Sequence, residues 1–106
     1  MKGMIGNMEI IREKNENTEV IRIKGRLDTT TSPQLHTVLA DALSPTEKIE
    51  IDFAGVEYVS SAGLRVLLQI QKNAQQTGKT MTLMNVSSDV MEVFEMTGFS
   101  GILNII

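Results

Sequence analysis

The chain has 106 residues, with 13 acidic and 10 basic side chains, one histidine and no cysteine. This length suits one domain with one hydrophobic core, and the lack of cysteine excludes disulfides, a thiolate nucleophile and thiolate-ligated zinc or iron–sulfur clusters. A single histidine leaves His-rich metal sites and most acid–base relays without residues, and a net charge of −3 argues against a nucleic-acid partner, which wants a basic face.

No apolar run approaches the roughly 18 residues of a membrane span, and Met1–Glu9 lacks a signal-peptide core. The expectation is a cytoplasmic single-domain protein, poorly equipped for catalysis. Charge is uneven, with 16 of the 23 charged residues falling in Met1–Phe53, so the second half presents a quieter surface.

Residues 1–7 carry two glycines and a lysine ahead of the first apolar segment and are expected to be a flexible N-terminus, with the domain over 8–106. Met8–Arg12 is a short apolar run. Thr18–Lys24 alternates, Ile21 and Ile23 against Arg22 and Lys24, and the polar Lys14–Asn17 between them predicts a β-hairpin. Gly25–Thr31 reads as a loop. Ser32 and Pro33 then start a helix, serine as N-cap and proline in the first helical position. Leu35, Val38, Leu39, Ala42 and Leu43 form its apolar face.

Ile49, Ile51 and Phe53 alternate with Lys48, Glu50 and Asp52, which predicts a third strand. A loop over Ala54–Ser60 is expected to lead into a helix over Ser61–Thr77, ended by Gly78. Thr80–Asn85 reads as a fourth strand. Ser87, Ser88 and Asp89 open a third helix closed by Gly98, and Ile102–Ile106 reads as a last short strand. Of the methionines, Met81, Met84, Met91 and Met96, most are expected in the core. Strands separated by helices favour parallel pairing, and the hairpin adds an antiparallel pair. The predicted fold is an α/β sandwich: a small mixed sheet with helices, N-terminal hairpin first.

The segment with the most chemical content is Asp52–Leu68, where a strand ends in Asp52 and two serines, Ser60 and Ser61, fall at a helix start. A helix N-terminus offers unpaired N–H groups and the positive end of the dipole, which favours a phosphate on a serine there. The plainer reading is equally open: serine is a favoured N-cap, and Gly63 can serve a close contact with the sheet or with another backbone. A serine hydrolase is disfavoured, because the Gly-x-Ser-x-Gly elbow is missing and the lone His36 falls off the apolar helix face, at the surface. Asp52 reads as a structural residue bonding nearby backbone N–H groups.

Gly25–Asp28 (Gly-Arg-Leu-Asp), the strand ending in Asp52, and Tyr58–Leu68 (Tyr-Val-Ser-Ser-Ala-Gly-Leu-Arg-Val-Leu-Leu) together resemble the STAS domain, which sulfate transporters share with anti-sigma factor antagonists. The resemblance runs from about Met8 to Ile106 and is nearest to the free-standing bacterial antagonists. It implies a partner switch. The unphosphorylated antagonist binds an anti-sigma factor that is also a serine kinase of GHKL type, freeing a sigma factor; phosphorylation ends binding, and a PP2C-like phosphatase resets the cycle. No cofactor or metal belongs to the antagonist, which is expected to be a monomer when free.

The acceptor serine lies two residues before the motif glycine, which is Ser61 here. Members usually carry aspartate where this chain has Ser60, and Ser or Thr where it has Ala62. The missing aspartate removes a negative charge from the kinase-facing surface and makes Ser60 a secondary candidate acceptor. Asp28 matches an aspartate of the partner-binding face, although a turn or cap role fits its residue type as well. The implied partner-binding residues are Asp28, Thr29, Thr30, Ser60, Ser61, Ala62, Gly63 and Arg65. A non-switching STAS subunit of a transporter-associated or other regulatory complex is the alternative.

Overall fold

A computed structural model describes residues 2–5 as a strand, and residues 8–106. The elements run β1 (Lys2–Ile5), β2 (Met8–Asn15), β3 (Thr18–Leu27), α1 (Ser32–Leu43), β4 (Lys48–Val59), α2 (Ser61–Gln76), β5 (Thr80–Met84) and α3 (Ser88–Thr97), followed by a 3-10 turn over Phe99–Gly101. The five strands form one sheet in sequential order. β1, β2 and β3 pair antiparallel, and β3, β4 and β5 pair parallel through the helical crossovers. The mixed α/β architecture expected from the sequence is the one observed.

Alternation decides which face of the sheet is covered. Ile10, Ile21, Ile23, Ile49, Ile51 and Phe53 are buried and join the apolar faces of all three helices in one core. Phe94 of α3 meets Phe53 edge-on, with ring centroids 6.2 Å apart, an arrangement aromatic quadrupoles favour. The opposite face keeps its charges in solvent, where Arg22 bonds Glu13 at 2.8 Å and lies 3.8 Å from Asp52. Beyond the apolar core, on the covered face, Arg12 bonds the buried Glu19 and reaches Asp41 of α1 at 3.0 Å. Lys79 donates to the carbonyls of Leu43 and Ser44, placing a cation at the negative end of α1.

Five expectations change. The strand expected to end at Lys24 runs on to Leu27, so the loop expected over Gly25–Thr31 begins only at Asp28. Lys2–Ile5, predicted loose, is an edge strand in register with Met8–Ile11; Met1, Gly6 and Asn7 of that predicted end lie outside the described residues. The loop expected over Ala54–Ser60 is instead strand as far as Val59. Register shifts between Arg22 and Lys24 and between Gly25 and Arg26 absorb the break in period-two spacing that hid it. Gly55 allows the strands to close there, since a Cβ on it would stand 2.7 Å from Lys24 Cγ.

The helix α1 includes Ser32 rather than being capped by it. Ser32 N–H donates to the Asp28 carbonyl at 2.8 Å, and Thr31 holds the cap position. The predicted strand over Ile102–Ile106 shrinks to one parallel bridge, Ile105 to Leu83. A 3-10 turn over Phe99–Gly101 follows the left-handed Gly98 (φ 80°) and leads into this segment. Met81 is core and Met91 packs against it, whereas Met96 is exposed.

Candidate functional site

Parallel β3 and β4 end level with each other, Leu27 opposite Val59. Ser60 N–H donates to the Leu27 carbonyl at 2.8 Å, so the loop that starts α1 and the junction that starts α2 lie side by side. Two helix N-termini thus meet at the carboxyl end of the parallel strands, the edge where open α/β sheets place their sites.

The α1 start is held from within. Asp28 Oδ1 accepts from the backbone N–H of Thr30 at 3.0 Å and of Thr31 at 3.1 Å. Thr31 is buried; its hydroxyl accepts from Asp28 N–H at 2.9 Å and donates to the Arg26 carbonyl at 2.8 Å. The Thr31 N–H, joined by Thr30 N–H, the Thr31 hydroxyl and the Arg26 charge, holds the Asp28 carboxyl below its ordinary value against the opposing effect of burial. Asp28 therefore acts as the turn residue of this loop, ahead of the Thr31 cap position, leaving Thr29 and Thr30 exposed at its crest.

The α2 start is built differently. Ser60 is extended (φ −90°, ψ 173°), and its Oγ accepts from Gly63 N–H at 3.2 Å, a serine N-cap. Gly63 lies buried beneath the surface. A Cβ there would come within 2.7 Å of Leu27 Cγ and 3.1 Å of the Leu27 carbonyl oxygen, so glycine lets the first turn seat on the sheet. Ser61, the first helical residue, is exposed, and its hydroxyl has no hydrogen-bond partner among the described residues. The first turn of α2 carries no acidic residue, and Arg65 stands exposed one turn on.

The structure thus gathers Ser60, Ser61, Ala62, Gly63 and Arg65 on one helix start and Asp28, Thr29 and Thr30 on the adjoining loop. Two further residues, Arg26 and Tyr58, belong to the same end of the molecule, and the sequence reading does not single them out as site residues. Arg26 and Tyr58 are opposite each other across the β3–β4 register, with the guanidinium 4.3 Å from the ring centroid. Tyr58 is 42% exposed, so it offers an apolar face whose position is fixed by the cation stacked on it. Arg26 Nε also lies 3.8 Å from Asp28 Oδ2. His36, exposed as its helical phase implies, lines a groove of about 450 Å³ between α1 and α2 together with Pro33, Thr37, Ala62, Arg65 and Gln69. Only alternation carried through Val59 would have brought Arg26 and Tyr58 together in advance, and the register shifts conceal it.

Asp52, farther back in β4 opposite Arg22 and Met84, accepts from Ala54 N–H at 2.9 Å and from Asn85 Nδ2 at 3.1 Å, the structural role its residue type suggests. Among the described residues, no three His, Asp or Glu side chains are grouped to hold a metal ion, and no helix is long and apolar enough to cross a membrane. What this end can do is present hydroxyls, a stacked tyrosine and cations to another surface.

A family model described as "Mlab, STAS domain" matches residues 11–104. The chain is 30% identical to BtrV of Bordetella bronchiseptica over 96 residues, covering 90% of this chain and 83% of that protein. It is 27% identical to the anti-sigma-B factor antagonist of Bacillus subtilis over 99 residues, covering 93% of this chain and 91% of that one. Its fold matches the anti-sigma factor antagonist SpoIIAA, solved unphosphorylated (TM-score 0.78, 22% identity, 92% of this chain and 87% of that one). It also matches the phosphorylated Bacillus SpoIIAA (TM-score 0.72, 21% identity, 92% and 90%). With the family model spanning almost the whole chain and the mixed sheet and paired helix starts in place, the chain belongs to the STAS domain family.

Proposed function

We propose that the protein is an anti-sigma factor antagonist in a bacterial partner-switching pathway, acting in the cytoplasm and monomeric when free. Its unphosphorylated form binds an anti-sigma factor that is also a GHKL-type serine kinase and so releases a sigma factor. The observation that carries this reading is the free, exposed Ser61 hydroxyl on an acid-free helix start, in a chain whose relatives include an anti-sigma-B factor antagonist. In the switching step the Ser61 Oγ attacks the γ-phosphorus of kinase-bound ATP. An O–P bond forms, the bond to ADP breaks, and the hydroxyl proton passes to the kinase. Water, directed by a PP2C-like phosphatase, later returns the hydroxyl and releases inorganic phosphate. The antagonist itself is acted upon and catalyses neither step.

Ser61 is preferred to Ser60 because the Ser60 Oγ is engaged with Gly63 N–H, while Ser61 is free. The partner-facing surface comprises Thr29, Thr30, Ser61, Ala62 and Arg65, with Asp28, Ser60 and Gly63 shaping it from beneath. A phosphate at Ser61 adds about two negative charges, which the α2 dipole tolerates and a close interface does not. A loss of about 2.8 kcal/mol lowers affinity about a hundredfold, enough to exchange partners. Incubation with a GHKL-type serine kinase of the same cell and ATP is expected to add one phosphate, mapped to Ser61 by mass spectrometry and absent in Ser61→Ala. Undiminished labelling of Ser61→Ala would overturn the assignment.

The neutral Ser60 cap, where the resemblance expects aspartate, favours a second reading as a non-switching STAS subunit of a transporter-associated or other regulatory complex. That reading predicts one partner retained equally by the parent, Ser61→Ala and Ser61→Asp.

A further inference from the structure

The chain contains the same local device twice. α2 and α3 each begin with two serines, the first extended and capping the helix. Ser60 Oγ accepts from Gly63 N–H and Ser87 Oγ from Val90 N–H, both at 3.2 Å. The second serine, Ser61 or Ser88, is in each case exposed in the first helical position. Backbone geometry and dipole therefore do not distinguish the two hydroxyls.

The surrounding charges do. The first turn of α2 carries no acid, whereas that of α3 carries Asp89. Four residues on from Ser61 stands Arg65; four residues on from Ser88 stands Glu92, and both are exposed. Positions i and i+4 are neighbours on a helix surface, and side chains lean toward the N-terminus, so the residue at i+4 reaches back over the one at i. An anion at i with a cation at i+4 is the favourable orientation for such a pair. Arg65 has no ion-pair or hydrogen-bond partner among the described residues. The other charged groups around the α2 start are Arg26 and Asp28, which face each other, and His36 across the groove.

We infer that Arg65 is the counter-ion, within this chain, of a phosphate carried on Ser61: the modified serine is held against the first turn of α2 by the guanidinium, which matches phosphate oxygens in pairs. This rests on the reading of Ser61 as the modified residue. The modified form then presents a paired guanidinium, so the modification changes two features of the surface at once. Ser88, followed by Asp89 and, one turn on, by Glu92, has no cation at i+4 and serves as the internal control.

The test installs phosphoserine at position 61, or at position 88, during synthesis of the full chain, without any kinase, and follows the phosphorus-31 resonance against pH. A phosphoserine ionises a second time near pH 6. At position 61 this midpoint is expected to fall about half a unit or more below that at position 88. Arg65→Gln should remove most of the difference and Arg65→Lys should retain part of it. Because His36 lines the same groove as Arg65, the series is repeated with His36→Gln, which should leave the Arg65 dependence intact. Equal midpoints in the parent and Arg65→Gln chains would overturn the inference. A kinase that modifies a site other than Ser61, with the Arg65-dependent shift present, would defeat the functional reading alone; an Arg65-independent midpoint in a chain the kinase does modify at Ser61 would defeat the counter-ion alone.

Discussion

The starts of α1 and α2 lie side by side at one end of the sheet, yet they leave different things exposed. At α1 a carboxylate orders the loop ahead of the helix: Asp28 gathers the N–H groups of Thr30 and Thr31, and Thr31, in the cap position, is buried and makes no side-chain cap bond. At α2 a neutral hydroxyl caps the helix, and the next serine is left with its own hydroxyl unengaged. Neither first turn carries an acid; one start has a carboxylate folded into the loop before it, whereas the other is held by a hydroxyl cap. The lesson is that the cap decides what a helix start leaves exposed, and that a Ser-Ser start, which occurs twice in this chain, is told apart only by the charges around it.

The contrast can be broken most strongly at Gly63. Gly63→Val would drive a branched side chain into Leu27 and is expected to cost about 1–3 kcal/mol as overpacking, read as a lower urea midpoint with little change in slope. If stability were unchanged, α2 would not be seated on Leu27 as described. Ser60→Ala removes the α2 cap and is expected to cost about 1 kcal/mol, without unfolding the chain at room temperature. Ser61→Ala, one residue on, touches no bond in the fold and should stay within about 0.5 kcal/mol of the parent. A larger loss at Ser61 than at Ser60 would reverse their roles.

The α1 start is tested by acid. The Asp28 carboxyl is held below its ordinary value in the folded chain by the Thr31 and Thr30 N–H groups. Its contribution is therefore present above the unfolded value, near pH 4, and is lost as the pH falls through the lower folded value. Asp28→Asn keeps a side-chain acceptor but cannot titrate, so its urea midpoint should fall less steeply than the parent's between pH 5 and pH 3. Parallel pH curves for the two chains would contradict a charged Asp28 turn ahead of α1.

Much of this contrast was legible before the structure. Ser60 and Ser61 stood out as a helix start, Asp28 had a turn or cap reading, and the alternation of Ile49, Ile51 and Phe53 named the strand leading to them. The helices were legible because their apolar periodicity and glycine stops are local: Gly98 ends α3 in the left-handed region at φ 80°. What escaped depended on distant pairing. β1 is only four residues long and is fixed by its register with β2, which no local pattern encodes. The second half of β4 hid behind the register shifts near Gly55, and with it the stacking of Arg26 on Tyr58. The reverse error at the C-terminus has the same origin, for Ile102–Ile106 has strand-like composition but only the bridge to Leu83 to pair it.

The central claim is that Ser61, and not its twin Ser88, governs partner binding. The most direct measurement is the equilibrium affinity of the full chain for the GHKL-type anti-sigma kinase proposed as its partner, with ATP omitted, for the unmodified protein and for chains carrying phosphoserine at position 61 or at position 88. The account predicts a loss of about a hundredfold at position 61, equivalent to about 2.8 kcal/mol, and an affinity at position 88 within a few-fold of the unmodified chain. Equal affinity at position 61 and in the unmodified chain, or an equal loss at both serines, would contradict it.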